Sequence, residues 1–240
     1  MAKDKMEGRY GNAILILLLS TLISSAVRFL INTVAENTMN SIYAMTGSAK
    51  AVVAVSLFFD LLLLAAAVVL GVMNAGITLY FLNLACGMPA SVKDLFYAFR
   101  TDSKKALIIS GAMTVMEAVC LWPCQYMARN YLNTREGFWL AISLIALAVG
   151  LCIYIPVSLG IALSFYLMFD FPQNSGFQTL SLCWRIMKGQ RKRLFVLELG
   201  FVPLMILCIF SFGIGFLWLM PYMHMTYTYF FLDLMNPHEV

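Results

Sequence analysis

Charge is scarce in this sequence, and the scarcity excludes a great deal. Of its 240 residues only 12% are Asp, Glu, Lys or Arg while 62% are hydrophobic, and the mean hydropathy is +0.84. Soluble domains carry about a quarter charged residues, so a soluble fold is excluded. Histidine is nearly absent, with only His224 and His238. The sequence has no H-E-x-x-H, no phosphate-binding G-x-x-x-x-G-K-S/T, no G-x-S-x-G and no C-x-x-C pair, so no catalytic motif marks it as an enzyme. Six cysteines lie in or beside apolar runs instead of forming a disulfide framework. Cys120 and Cys124 sit in a C-x-x-x-C near the outer end of the third span, and their spacing leaves pairing open. There is no Pro/Gly/Ser-rich or charge-rich linker, so residues 1–240 read as a single integral membrane domain. Nor is there a basic and aromatic stripe, so no nucleic-acid partner is expected.

Long apolar runs dominate instead. A helix needs about 20 residues to cross the hydrocarbon core, and the runs near 12–31, 51–84, 106–126, 138–169, 194–210 and 215–232 supply six spans. The second and fourth are too long for one upright crossing and must tilt, kink or project. Gly71 and Gly76 offer kink points in the second, and Gly150, Pro156 and Gly160 in the fourth. Lys3, Lys5 and Arg9 precede the first span, and the later basic residues fall mainly in the segments before spans three and five. By the positive-inside rule both termini face the cytoplasm. The basic start and Ser24-Ser25-Ala26 imitate a signal peptide, but the apolar run continues past Arg28 and reads as an uncleaved helix.

Two segments share one plan. Gly76-Ile77-Thr78-Leu79-Tyr80-Phe81 ends a helix, Pro89 breaks the chain, and Ser91 to Asp94 opens a short helix; Gly160-Ile161-Ala162-Leu163-Ser164-Phe165, Pro172 and Ser175 to Gln178 repeat this. Each opening resembles a capping box, in which the serine and the acidic or amide residue three positions later satisfy each other's amides. Both short helices end in basic residues, which predicts two amphipathic helices in the cytoplasmic interface. Lys93, Arg100, Lys104 and Lys105 belong to the first unit, and Arg185, Lys188, Arg191, Lys192 and Arg193 to the second. Together they form a basic patch suited to anionic lipid headgroups or a protein partner. Ala67, Gly71 and Ala75 recur every four residues, a spacing that lets another helix approach closely.

Beyond Leu180 the pattern S-L-x-W-x-x-M-K-G-x-x-x-x-L-F-x-L-x-L, then Gly213 to Tyr222 and Phe230-Phe231-Leu232-Asp233-Leu234, resembles an uncharacterised bacterial membrane family. It is similar to the domain-of-unknown-function family 975, found mainly in Gram-positive Firmicutes, and Phe81 to Ala85 and Asp94-Leu95-Phe96-x-x-Phe99 share the likeness. The resemblance implies a multi-helix protein of a bacterial plasma membrane and brings no catalytic motif. Ile155-Pro156-Val157 departs from the family's I-P-G-I turn.

Charged side chains within a span cost about 2.5–3.5 kcal/mol on insertion scales, so each needs a reason. Arg28, Asp60, Glu117 and His224 are the candidates. Asp60, Glu117 and His224 fall near mid-span and Arg28 nearer the outer side. A relay would use Asp60 and Glu117 as carriers with His224 as a titrating partner; a structural role would pair Arg28 with Asp60 and bond Glu117 to a nearby hydroxyl. Glu198 lies close to Lys192 and Arg193 and reads as their ion-pair partner. Met220, Met223, His224 and Met225 offer soft ligands, but Met223 and Met225 cannot both share a helix face with Met220, so at best part of the cluster converges and no metal site or cofactor is expected. Trp122, Trp139, Trp184 and Trp218 near span ends read as an aromatic belt.

The expectation is an all-α, six-span bundle with two cytoplasmic interfacial helices. Its function is read as a non-enzymatic accessory or lipid- and partner-binding scaffold. The alternative is a small secondary transporter. A polar cavity joining Asp60 and Glu117 at mid-depth separates the two, because only transport needs one.

Overall fold

A computed structural model describes residues 10–235; the basic residues Lys3, Lys5 and Arg9, the chain ends and His238 lie outside them. Among the described residues there are helices and no strands. The long helices are α1 (Tyr10–Thr46), α2 (Ala49–Ala85), α4 (Ser103–Thr134), α5 (Gly137–Ile161), α8 (Arg191–Phe210) and α9 (Phe216–Met235). Between them lie a 3-10 turn (Val92–Phe96) with α3 (Tyr97–Arg100), and the short helices α6 (Ser164–Asp170) and α7 (Gly176–Ile186).

Five segments are long and apolar enough to cross a membrane: Tyr10–Thr46, Lys50–Ala85, Ser103–Ala128, Gly137–Asp170 and Arg191–Phe210. The expected sixth, α9, has the length at 20 residues but is diluted by His224, three tyrosines, two threonines and Asp233 in its sequence. Apolar side chains point outward throughout, with Leu22, Phe29, Leu61, Val119, Ile145 and Leu207 all exposed. That pattern suits a lipid solvent in place of water.

The first helix runs fifteen residues past the expected end at position 31. No glycine or proline interrupts the chain from Asn12 to Thr46, and only Gly47, at a φ of +62°, ends it. Helix α2 packs against α1, α4, α9, α6 and the 3-10 turn, so it forms the spine of the bundle, while α4 pairs most extensively with α5. The turn from α8 to α9 closes through the Gly213 amide, which donates to the Cys208 carbonyl at 3.0 Å, with Gly213 at a φ of +85°.

The expected kink glycines have another use. Helix α2 is unbroken across Gly71 and Gly76, and a β-carbon at either would strike Ser110 or the Leu95 backbone. At Gly150 it would strike the Cys120 carbonyl, and at Gly160 the Trp184 ring at 2.5 Å. These residues let neighbours approach, and the fourth span breaks instead at Ala162 and Leu163. Pro156 lies within a continuous α5.

The repeat is visible in the packing. Gly76 and Gly160, like Ser91 and Ser175, stand 84 residues apart, and each glycine receives the short helix that follows its own break. The Ser175 hydroxyl accepts from the Gln178 amide at 3.4 Å while Gln178 accepts from the Ser175 amide at 2.8 Å. In the first unit the Asp94 carboxylate accepts from the Ser91 amide at 3.0 Å, but the element begins as a 3-10 turn. Neither short helix stands clear of the protein, because Leu95, Ala98, Thr179 and Cys183 are fully buried within the bundle.

Candidate functional site

Polar side chains recur at helical spacing on the inner faces. Ser24, Arg28 and Asn32 are one turn apart on α1, as are Asn74 and Thr78 on α2 and Tyr154 and Ser158 on α5. These stripes line two cavities. The first, of about 600 Å³, lies on the side of the short helices and is called basal here. The second, of about 660 Å³, lies toward the Gly47 turn and is called apical.

Arg28 and Glu117 line both cavities. On α2 the apical lining runs from Val53 to Leu64 and the basal lining from Ala67 to Thr78, so the cavities stack along the helix. At about 1.5 Å per residue the combined lining from Val53 to Thr78 covers ~37 Å, more than the ~30 Å hydrocarbon core. Arg28 and Glu117 sit where one cavity gives way to the other.

The four charged or titratable candidates within the spans therefore form a column and do not meet at one point, and none is fully buried: Arg28 and Glu117 are exposed, Asp60 and His224 half-buried. Asp60 belongs to the apical cavity together with Arg28 and Glu117, whereas His224 belongs to the basal one. Arg28 is at the boundary between the two cavities. Among the described residues Glu117 is in no ion pair.

Glu198 departs from its expected role. It faces the basal cavity, and its carboxylate meets the Tyr227 hydroxyl, while Arg193 pairs with Asp233 at 2.7 Å. The reason is helical phase: Glu198 shares the α8 face of Leu194, which turns into the bundle, and Arg193 does not. Tyr154 lies within electrostatic range of both Glu117 and Glu198. Tyr166 meets Thr228 at 3.1 Å, and because Thr228 donates its own proton to the His224 carbonyl at 2.9 Å, Tyr166 is the donor. The His224 ring stacks on Phe81 with centroids 5.2 Å apart, and no hydrogen bond to its nitrogens occurs among the described residues. The other soft ligands diverge: Met225 is buried beside Phe81, Met223 packs near Phe201, and Met220 is exposed.

Sequence reasoning missed Asn74, Thr78, Ser110, Tyr154, Ser158, Tyr166 and Tyr227. A search for polar residues three or four apart inside apolar runs would have found the first two and the Tyr154 and Ser158 pair.

The basic patch is smaller than its sequence. Lys105 is held by Asp102 at 3.3 Å and by the Pro172 carbonyl, Arg193 by Asp233, and Arg191 lies 3.7 Å over the Trp184 ring. The Arg191 Nε is buried without a hydrogen-bond partner. Lys93, Arg100, Lys104, Arg185, Lys188 and Lys192 remain exposed.

An all-helical bundle with outward apolar faces and polar cavities between its helices defines the class: a multi-pass membrane protein. The chain belongs to the family described as Protein of unknown function (DUF975), whose model matches residues 1–237. No curated protein and no solved structure matches it.

Proposed function

We propose that the protein is a small secondary transporter that passes a polar solute through the two stacked cavities, with Arg28 and Glu117 as the layer dividing them. The observation that carries this reading is that both residues line both cavities, so a solute in either one meets the same charged pair. Charged groups within spans mark solute or ion pathways, and a scaffold needs no intramembrane cavity of this length. In this reading α9 crosses as a sixth span and supplies His224 and Tyr227 to the path. The chain ends and the basic residues Lys93, Arg100, Lys104, Arg185, Lys188 and Lys192 then face the cytoplasm of a bacterial plasma membrane. Those six exposed cations support a second role, contact with anionic headgroups, which is compatible with transport.

The test is flux in proteoliposomes holding a pH-reporting dye and challenged in turn with amines, amino acids, carboxylates and sugars. At least one class is expected to move protons, with Glu117→Gln reducing the rate at least tenfold. Absence of flux with every class, or equal rates in Glu117→Gln, overturns the reading.

A further inference from the structure

The basal cavity is unequally charged. Two carboxylates, Glu117 and Glu198, face it against one guanidinium, Arg28, and among the described residues neither carboxylate is in an ion pair. Three phenol rings, Tyr154, Tyr166 and Tyr227, line the same space. His224 adds a half-buried imidazole whose nitrogens have no hydrogen-bond partner among the described residues. Most of the other buried polar groups are already satisfied: Ser110 donates to the Val68 carbonyl at 2.7 Å, Thr78 to the Asn74 carbonyl at 2.8 Å, and Tyr166 to Thr228. Beside neutral groups such as the Asn74 amide, what is left to meet a ligand is a net negative charge, aromatic faces and one imidazole.

We propose that the basal cavity binds an organic cation, with its positive centre between Glu117 and Glu198 and its apolar body against the tyrosine rings. Glu198 is half-buried, and a carboxylate partly withdrawn from water attracts a cation more strongly than one in bulk water, while aromatic faces add cation–π attraction. A simple metal ion would leave most of a 600 Å³ space empty, whereas such a volume falls in the range of small-molecule sites. Arg28 shares the boundary layer with Glu117 and repels the same charge, which biases the ligand toward Glu198. An organic anion would meet two carboxylates for one arginine in the same cavity.

This inference rests on the transport reading but fails separately from it. Tetraphenylphosphonium and tetraphenylborate have the same shape and opposite charge, so they isolate the sign that the cavity prefers. Each is measured by equilibrium dialysis against the full chain in nanodiscs. The expected result is saturable tetraphenylphosphonium binding that tetraphenylborate does not displace. Glu117→Gln and Glu198→Gln each weaken it at least tenfold, Arg28→Gln does not weaken it, and Lys188→Gln on the exposed surface leaves it unchanged. Displacement by tetraphenylborate, or unaltered affinity in both glutamine variants, overturns the proposal. Should either variant fail to fold, the phosphonium-to-borate preference of the unaltered protein decides by itself. Phosphonium binding without flux of any solute retains the ligand class and overturns transport. Flux of an anion or sugar without phosphonium binding does the reverse.

Discussion

The Arg191 guanidinium lies 3.7 Å over the Trp184 ring, and Gly160 packs at the benzo edge of that ring, where a β-carbon would come within 2.5 Å of the ring and 3.0 Å of the guanidinium. One residue from each of α5, α7 and α8 thus meets at a single three-way contact. It fixes the short helix between two spans.

Gly160→Ala is expected to destabilise the protein by about 1–3 kcal/mol, because a crowded contact must shift to admit a methyl group. Gly200→Ala, with no atom within 4 Å of its β-carbon position, is the control and should be neutral or slightly stabilising. Thermal unfolding in detergent, followed by loss of the monodisperse peak, compares the two. Equal midpoints would contradict the close approach.

Tyr166→Phe removes a buried hydroxyl whose partner keeps a second bond, since Thr228 still donates to the His224 carbonyl. A loss of about 1 kcal/mol is expected, the size of one net hydrogen bond. Thr228→Val removes both bonds and leaves the Tyr166 hydroxyl buried without a partner. It should cost more than Tyr166→Phe in the same unfolding assay, and a smaller loss would rule out this bonding order.

Arg193 and Asp233 tie the start of α8 to the end of α9 at 2.7 Å, but the side chains are 58% and 35% exposed. Solvent screening limits such a pair to roughly 1 kcal/mol or less. Arg193→Ala and Asp233→Ala should each shift the unfolding midpoint slightly, and the double variant should lose no more than either alone. Strict additivity would mean that the two do not interact.

Cysteine reactivity reports both burial and sidedness. Cys86 is exposed at the end of α2, whereas Cys183 on α7 is buried, and that burial pushes its thiol above the usual range. The thiolate is the reacting form, so Cys183 should stay unmodified by maleimide at pH 7, and any labelling in detergent should rise only at pH well above the ordinary thiol range. A membrane-impermeant maleimide should spare Cys86 in intact cells and modify it once they are opened. Labelling of Cys86 in intact cells would reverse the proposed orientation.

Composition and hydropathy alone established an all-helical chain with apolar runs of spanning length, because lipid demands a continuous apolar surface that any window of the sequence displays. The capping residues at Ser91 and Ser175 were legible for a similar reason, since a cap is made within four residues. Arg28, Asp60 and Glu117 were legible as costly residues, although their sequence gave no common location. The tertiary structure decided the rest. Gly71, Gly76, Gly150 and Gly160 read as kinks until their neighbours were in place, and Glu198 read as a surface partner until α8 turned its face inward. The cavities have no local signature at all, because the basal one takes its lining from six long helices and α6, each adding a few residues three or four apart. Burial along one helix follows from its own periodicity; an enclosed space between helices follows only from how they pack.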